Sequence, residues 1–401
     1  MITISHKIEL VPNNKQKSYF RKAFGCARLA YNWGLAEWQR RYKEGDKVDA
    51  YGLKKGIVSY PQFKRKKDNE GSFYIGGDQV SLSDTNRNSK NFRKIPHNEK
   101  QKHQYLKVPN LGWVKMTERL RFIGKINGVV ISQQGNKYFA SFSVQAVEDE
   151  YKRTHPNADT DKGVRMAGID LGIKSALILS DGIAVENPKP LKKNLRKIKK
   201  ISRQLDKRVH ARNKQERLEG KKKSNNYRKL SVRLSNAQRK VANIRRDFTQ
   251  KVTTILTTHY AHIALEDLNV KGMVRNHRLA QSVSDVAFGE LCRQIEYKSM
   301  LNGIKVLKAD RFYPSSKTCS VCGHIKQDLR LSDRTYHCAK CGAIIDRDYN
   351  ASLNLLSLII KKQIGADYPE STPEDLTALL SRFVRNGIAT SKVETGRQHK
   401  L

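Results

Sequence analysis

Four carboxylates stand out in a chain otherwise crowded with cations. Asp170 lies inside the apolar run Ala167-Gly-Ile-Asp-Leu-Gly172, and Glu266 ends the run His262-Ile-Ala-Leu-Glu266. Asp346 and Asp348 stand just before the apolar stretch Asn350–Ile360. A carboxylate in an apolar segment is costly unless it is paired or bound to a metal. Each has a plain structural explanation: Asp170 as a turn former, Glu266 as a strand-end charge, Asp348 as a partner in a helix N-cap. A second constellation is built from sulfur. Cys319-x2-Cys322 and Cys338-x2-Cys341 are separated by 15 residues, a spacing that lets four thiolates close a tetrahedron around Zn²⁺. Gly323 and Gly342 follow the second cysteine of each pair and permit the tight turn that directs amides at sulfur. Four thiolates leave no open position, so this zinc folds its segment and does not catalyse. His324 and His337 lie nearby and read as ordinary surface residues; Cys26 and Cys292, on helical apolar faces, read as core.

These residues sit in 401 positions carrying 78 Lys and Arg against 38 Asp and Glu, a net charge of 78 − 38 = +40. That imbalance points to a polyanionic partner, nucleic acid above all. Disorder is a poor reading, because 38% hydrophobic residues with 16 Tyr and 12 Phe can build cores. The longest apolar stretch, around Leu353–Ile360, is far shorter than the ~20 residues that span a bilayer. Met1-Ile-Thr-Ile-Ser-His-Lys7 lacks the apolar core of a signal peptide. Six cysteines, four of them in close pairs, suit a reducing compartment. The expectation is a cytoplasmic, nucleoid-associated protein with no membrane and no small-molecule substrate.

The elements that must position the acids follow from periodicity. Ile2, Ile4, Ile8 and Leu10 alternate as in a strand, and Pro12-Asn13-Asn14 stops it and offers a helix N-cap. Phe20, Ala23, Phe24, Ala27, Tyr31, Leu35 and Trp38 recur at helical spacing, predicting a helix that ends before Gly45-Asp46. Residues 46–110 show little periodicity, with a basic loop at Pro61-Gln-Phe-Lys-Arg-Lys-Lys67. Trp113–Val144 reads as β structure, with Tyr138, Ala140, Phe142 and Val144 alternating after a Gly135-Asn136 turn. A β-barrel with a helical insertion is expected for this first part, and a polar linker after it. Met166–Leu171 and Ser175–Ser180 are apolar strands, and Asp181-Gly182 turns into a third. Lys192–Arg246 then carries 22 Lys or Arg against three acids, with apolar stripes Leu191–Val209 and Leu230–Phe248. This predicts a helical hairpin with basic outer faces, turned toward nucleic acid. Ile263–Leu265 and Ile304–Leu307 are further short strands.

The acids thus fall in the order strand–strand–helix after a β-hairpin, the layout of RNase H-like nucleases. There, carboxylates on adjacent strands and one helix converge on two divalent ions ~4 Å apart. The chain also resembles the TnpB family of insertion-sequence proteins, relatives of type V CRISPR effectors. The resemblance rests on Gly168-Ile-Asp-Leu-Gly-Ile173, Leu265-Glu-Asp-Leu268, Phe312-Tyr-Pro-Ser-Ser-Lys-Thr-Cys-Ser-Val-Cys-Gly323 and Asp346-Arg-Asp-Tyr-Asn-Ala351. Lys7-Ile-Glu-Leu-Val-Pro-Asn13, Ala27-Arg-Leu-Ala-Tyr-Asn-Trp33, Pro61-Gln-Phe-Lys64 and Leu111-Gly-Trp-Val-Lys115 extend it over nearly the whole chain.

The resemblance implies RNA-guided, Mg²⁺-dependent cleavage of double-stranded DNA beside a short adjacent motif, with a guide RNA from the transposon end and one RuvC-like site. By motif match Asp170, Glu266 and Asp348 are its catalytic, magnesium-holding acids, with Asp346 the fallback for the third. Arg334 resembles a family arginine near the scissile phosphate, and Tyr51 a position near the adjacent motif. The implied division is a β-barrel wedge with a short recognition insertion (1–150), a linker (151–165), and a RuvC-like domain (166–311 and 346–360) that includes the basic hairpin 190–250. A zinc ribbon (312–345) and a flexible tail (361–401) complete it. One departure is that only Lys43–Tyr60 stands where the family usually carries a larger helical recognition region. The competing reading is a guide-dependent DNA binder of repressor type without cleavage, which should have lost one of the three acids. A strand-joining transposase and a zinc-ribbon protein with structural acids are further alternatives.

Overall fold

The computed structural model describes residues 2–45, 72–84, 103–147, 165–210, 224–330, 332–363, 379, 381, 383–385 and 387–393. Tyr51, the basic loop from Pro61 and the expected linker lie outside them. Two compact units emerge: Met1–Tyr151 with Ile198–Arg239, and Lys152–Lys197 with Lys240–Leu401.

In the first unit, strand β1 (Ile2–Val11) turns Ile8 and Leu10 into the core and leaves Ile2 and Ile4 half-buried, as the alternation predicts. Helix α1 (Asn14–Lys43) begins in a reciprocal capping box. Asn13 Oδ1 accepts from the Gln16 N–H, and Gln16 Oε1 accepts from the Asn13 N–H. Phe20 and Phe24 pack with Phe73 and Tyr138 at ring separations of 5.5–6.4 Å. Seven strands form the sheet: β2 (Ser72–Gly76), β3 (Ser81–Ser83), β4 (Tyr105–Val108), β5 (Gly112–Met116), β6 (Lys125–Gln134) and β7 (Lys137–Ala146) join β1 in the order β2-β6-β7-β1-β5-β4-β3. The two end strands, β2 and β3, are consecutive in sequence and joined by the 3-10 turn Gly77–Gln79. Five residues span at most ~18 Å, so the ends of the sheet must approach one another. Among the described residues no ladder pairs β2 with β3, so the sheet is open along that edge.

The second unit holds a six-stranded sheet. Its strands are β8 (Met166–Asp170), β9 (Ser175–Leu179), β10 (Ile183–Glu186), β11 (His262–Leu265), β12 (Lys305–Lys308) and β15 (Thr390–Lys392), in the order β12-β11-β8-β9-β10-β15. β8, β11 and β12 are parallel; β9, β10 and β15 continue antiparallel. On one face, Ala167, Ile169 and Leu179 pack with Val252 and Leu256 of α3 (Asn225–His259) and Leu291 and Ile295 of α6 (Phe288–Leu301). Short helices α4 (Val270–Arg275) and α5 (Ala280–Val286) precede α6. On the other face, Met166 and Ala264 pack with Leu355 and Ile359 of α7 (Arg347–Gln363). Strands β13 (Thr335–His337) and β14 (Ile344–Asp346) form a separate two-stranded sheet.

Two expectations are corrected here. The basic hairpin, α2 (Pro190–His210) with α3, is not confined to one unit: its distal part, 198–239, belongs with the first. At 1.5 Å per residue these helices run about 30 and 50 Å, farther than one small core can cover. Ser235 and Asn236 accordingly press against Gly135 of the β6–β7 turn. Nor is the tail from 361 wholly loose. β15 pairs with β10, and Leu379, Phe383 and Ile388 are buried in the main core, because three apolar side chains and a free sheet edge supply the burial and hydrogen bonds that order it.

A candidate carboxylate centre beside a four-cysteine cluster

Register brings the first two acids together. In the parallel pair β8–β11, Ile169 faces Leu265, so Asp170 and Glu266 are the next residues on neighbouring strands about 4.8 Å apart. The third acid arrives through a glycine. A Cβ on Gly168 would collide with the Ser352 carbonyl and the Leu356 amide, so α7 lies flush against β8. Asp348 stands one helical turn before Ser352, at the start of α7.

Asp346 and Asp348 divide the labour at that helix start. Asp346 Oδ1 accepts from the backbone N–H groups of Asp348 (3.0 Å) and Tyr349 (2.9 Å), which makes it the cap of α7. Asp348 Oδ1 accepts instead from Arg347 Nε and Nη2 at 2.9 and 2.8 Å, and Arg334 Nη1 lies 3.8 Å from its Oδ2. Glu266 Oε1 accepts from the Ser315 hydroxyl. Asp170 is half-buried, and burial foremost, then the charges of Glu266 and Asp348, push its carboxyl well above the ordinary carboxylate range. Arg347 opposes this and Asp346 adds slightly to it. The structure therefore gathers Asp170, Glu266 and Asp348 as neighbours. They do not form a single-ion cage: among the described residues, the four thiols are the only group with three or more ligand atoms all within 4.8 Å. A wider, all-oxygen set suits hard divalent cations.

The thiols fit zinc closely. Cys319 and Cys341 sulfurs are 3.7 Å apart, and those of Cys322 and Cys338 are 3.5 Å apart. Arms of ~2.3 Å in a tetrahedron give edges near 3.8 Å. Gly323 (φ 73°) and Gly342 (φ 71°) turn the two knuckles identically, their N–H groups donating to the carbonyls of Cys319 and Cys338. Burial raises the Cys319 thiol to about 12. At Cys338 desolvation pushes the thiol up, but donation from the Cys341 and Lys340 amides together with bonds from the Cys341 and Cys322 thiols outweighs it and lowers the thiol to about 7. His337 is exposed and His324 half-buried, neither within the cluster. Cys26 is half-buried; Cys292 is half-buried against the main core, its thiol pushed up to about 11 by burial.

Sequence reading missed the ties between cluster and acids. Asn350, fully buried, accepts from the Ser320 N–H (2.9 Å) and donates to the Thr318 carbonyl (2.6 Å). Asn354 donates to the carbonyls of Ser315 (2.7 Å) and Thr318 (2.6 Å). Asparagines one turn apart inside an apolar helix were the available signal. Through them the segment entering the cysteine cluster is sewn to the helix of Asp348, and Ser315 within it holds Glu266. Among the described residues no helix is long and apolar enough to cross a membrane.

Three family models match the chain. They are described as a helix-turn-helix domain over residues 1–47, a probable transposase over 142–277 and a Cas12f1-like TNB domain over 288–355. Across 1–47 the structure itself has a strand followed by one continuous helix. The Escherichia coli protein InsQ, named as an RNA-guided DNA endonuclease, is 28% identical over 390 residues, covering 88% of this chain and 91% of its own length. A Streptomyces pristinaespiralis protein named likewise is 33% identical over 190 residues, 47% of this chain and 44% of that one. A TnpB-like protein of Acanthamoeba polyphaga mimivirus is 27% identical over 215 residues, 52% of this chain and 40% of that one. Among solved structures, a Cas12f1–sgRNA–target DNA complex aligns at TM-score 0.48 and 15% identity, covering 86% of this chain and 83% of that one.

Proposed function

Because the chain belongs to the TnpB family, we propose that it is an RNA-guided endonuclease. A guide RNA pairs with one DNA strand beside a short adjacent motif, and an RNase H-like centre of Asp170, Glu266 and Asp348 cuts double-stranded DNA. The observation that carries this reading is geometric: the β8–β11 register sets Asp170 beside Glu266, and α7, flush against Gly168, brings Asp348 in from 178 positions away in the chain. Three carboxylates crowded in one place repel one another and call for cations. Magnesium bound there supplies Lewis-acid activation of water and neutralises charge on the leaving oxygen.

The chain's own residues set the stage for that chemistry. Ser315 fixes one oxygen of Glu266. Arg347 holds one oxygen of Asp348, and Asp346 takes the capping duty that would otherwise occupy Asp348. Asp170 must be ionised to act, so bound cations must first offset its acidic neighbours. Arg334, at 61% side-chain exposure, is loosely enough held to leave Asp348 for the scissile phosphate. The zinc ribbon is structural. The N-terminal sheet serves as the barrel-like wedge and, with the basic hairpin, grips the guide RNA and heteroduplex. Sequence is read by base pairing and the protein reads shape and backbone.

The test is to purify the protein from cells carrying its flanking locus, sequence the RNA that copurifies, and offer matched plasmid with Mg²⁺. Cutting that Asp170→Ala abolishes while target binding persists is the expected result. Tight guide-dependent binding by the wild type with no cutting would establish the repressor-type reading instead.

A further inference from the structure

A cleft of about 580 Å³ opens beside Asp348, within the size range of clefts that seat a ligand of several hundred daltons. Its walls carry three acids, Glu186, Asp346 and Asp348, together with four cations, Lys174, Lys189, Arg334 and Lys392. Lys174 lies between β8 and β9, Lys189 immediately before α2, and Lys392 on β15. Among the described residues no carboxylate pairs with any of these three lysines.

Lys189 is the unusual member. Its backbone is left-handed (φ 47°), a conformation that glycine or asparagine adopts at much lower cost than lysine. The surroundings enforce it. The Lys189 N–H donates to Asn187 Oδ1 (3.0 Å), and buried Asn187 donates in turn to the Ile173 carbonyl (3.1 Å). Beyond it, the start of α2 is pinned from another element: buried Asp285 accepts from the N–H groups of Leu191 (2.8 Å) and Lys192 (2.9 Å). Pro188 and Pro190 flank the residue and stiffen it further. The turn needs a positive φ and would be served better by glycine, so what lysine adds is its ammonium, on a fixed backbone at the wall of a cleft that contains an acid of the proposed centre. Strain held in this way marks a functional position.

We infer that the cleft seats the phosphodiester backbone of the strand being cut, with Lys189 as the positioning cation for a phosphate next to the scissile one and Lys174 and Lys392 as weaker supports. This rests on the nuclease reading and adds to it the track by which substrate reaches the acids. Opposite charges then have separate tasks: the acids hold cations at the reacting phosphate, and the lysines hold its neighbours by charge-assisted contacts.

Lys189→Gly tests this, because it removes the ammonium while relieving the backbone. In the RNA-loaded complex it should slow cleavage roughly ten- to a hundred-fold, the loss of one charged contact. Melting temperature should be unchanged or higher and target binding within about twofold; Lys189→Arg should restore most of the rate. A single methylphosphonate beside the scissile position should slow the wild type by a similar factor and Lys189→Gly scarcely further, since a direct contact can be lost only once. A wild type that cuts beside a Lys189→Gly complex that cuts equally fast overturns the inference alone. So do fully additive effects of lysine and phosphate. A wild-type complex that leaves matched DNA intact sinks the nuclease reading and this inference with it.

Discussion

Gly168→Ala should disable the centre with a single methyl group that touches none of the acids. The backbone of Gly168 is not in the left-handed region, so its lack of a side chain reflects space alone. An alanine Cβ would fall well inside contact distance of the Ser352 carbonyl oxygen and the Leu356 amide nitrogen, and 3.1 Å from the Leu355 carbonyl carbon. These are backbone atoms, which cannot rotate away. Restoring ordinary packing near 3.5 Å requires α7 to retreat by about 1–1.5 Å. Asp348, four residues along the same rigid helix, retreats with it while Asp170 stays on its strand. Displacements of about 1 Å in a catalytic constellation cost about 100-fold in rate, and overpacking of this kind costs about 1–3 kcal/mol in stability. The assay pairs cleavage of matched plasmid with target binding and thermal melting of the RNA complex. Gly34→Ala is the control, since nothing lies within 4 Å of its added Cβ. There a helical alanine should leave cleavage unchanged and stabilise by up to about 1 kcal/mol. A Gly168→Ala complex that melts and binds normally and cuts within threefold of wild type would refute the placement of Asp348 by α7.

Other expectations follow from the same geometry. Cys338→Ser should lose one zinc equivalent by metal analysis and, through Asn350, Asn354 and Ser315, slow cleavage as well; full zinc retention would contradict the ribbon. Asp170→Asn should stabilise the metal-free protein at neutral pH. A carboxyl raised above its ordinary value of 3.8 gives stability below that value that is lost as pH rises through the raised one. The melting difference between variant and wild type should therefore widen from acid toward neutral pH and shrink when Mg²⁺ is added; a pH-independent difference would count against the crowded acids. Guide and target affinity should fall steeply with salt, log K dropping by about 0.9 per phosphate contact on duplex DNA for each tenfold rise. A flat dependence would be hard to reconcile with a charge of +40.

Much of this was legible where one residue type has one physical use. Alternation over Tyr138–Val144 and the 3–4 spacing of Phe20 and Phe24 became buried faces, and the cysteine spacing became a cluster. The acids were found because a carboxylate in an apolar run is costly unless paired or metal-bound, and three such acids fall in the order strand–strand–helix. The strands β2 to β4 were not, since exposed residues such as Ser72, Tyr74 and Ser81 mix polar and aromatic side chains and leave no clean alternation. The expected α3 stripe ends at Phe248, yet Val252, Ile255 and Leu256 continue it and the helix runs on to His259. Thr253 and Thr257 return their hydroxyls to carbonyls four residues back (2.7 and 2.9 Å), which satisfies polar groups buried on that face. Ser315, Asn350, Asn354 and Lys189 owe their roles to partners 30 or more positions away or to backbone geometry, and no local pattern announces either.

Anomalous scattering from crystals of the RNA-loaded complex grown with Mn²⁺ addresses the central claim most directly, because it locates cations atom by atom. The account predicts density for a pair of ions about 4 Å apart, coordinated by Asp170 together with Glu266 and Asp348. Manganese elsewhere in the crystal, with none in coordination distance of Asp170, would contradict it.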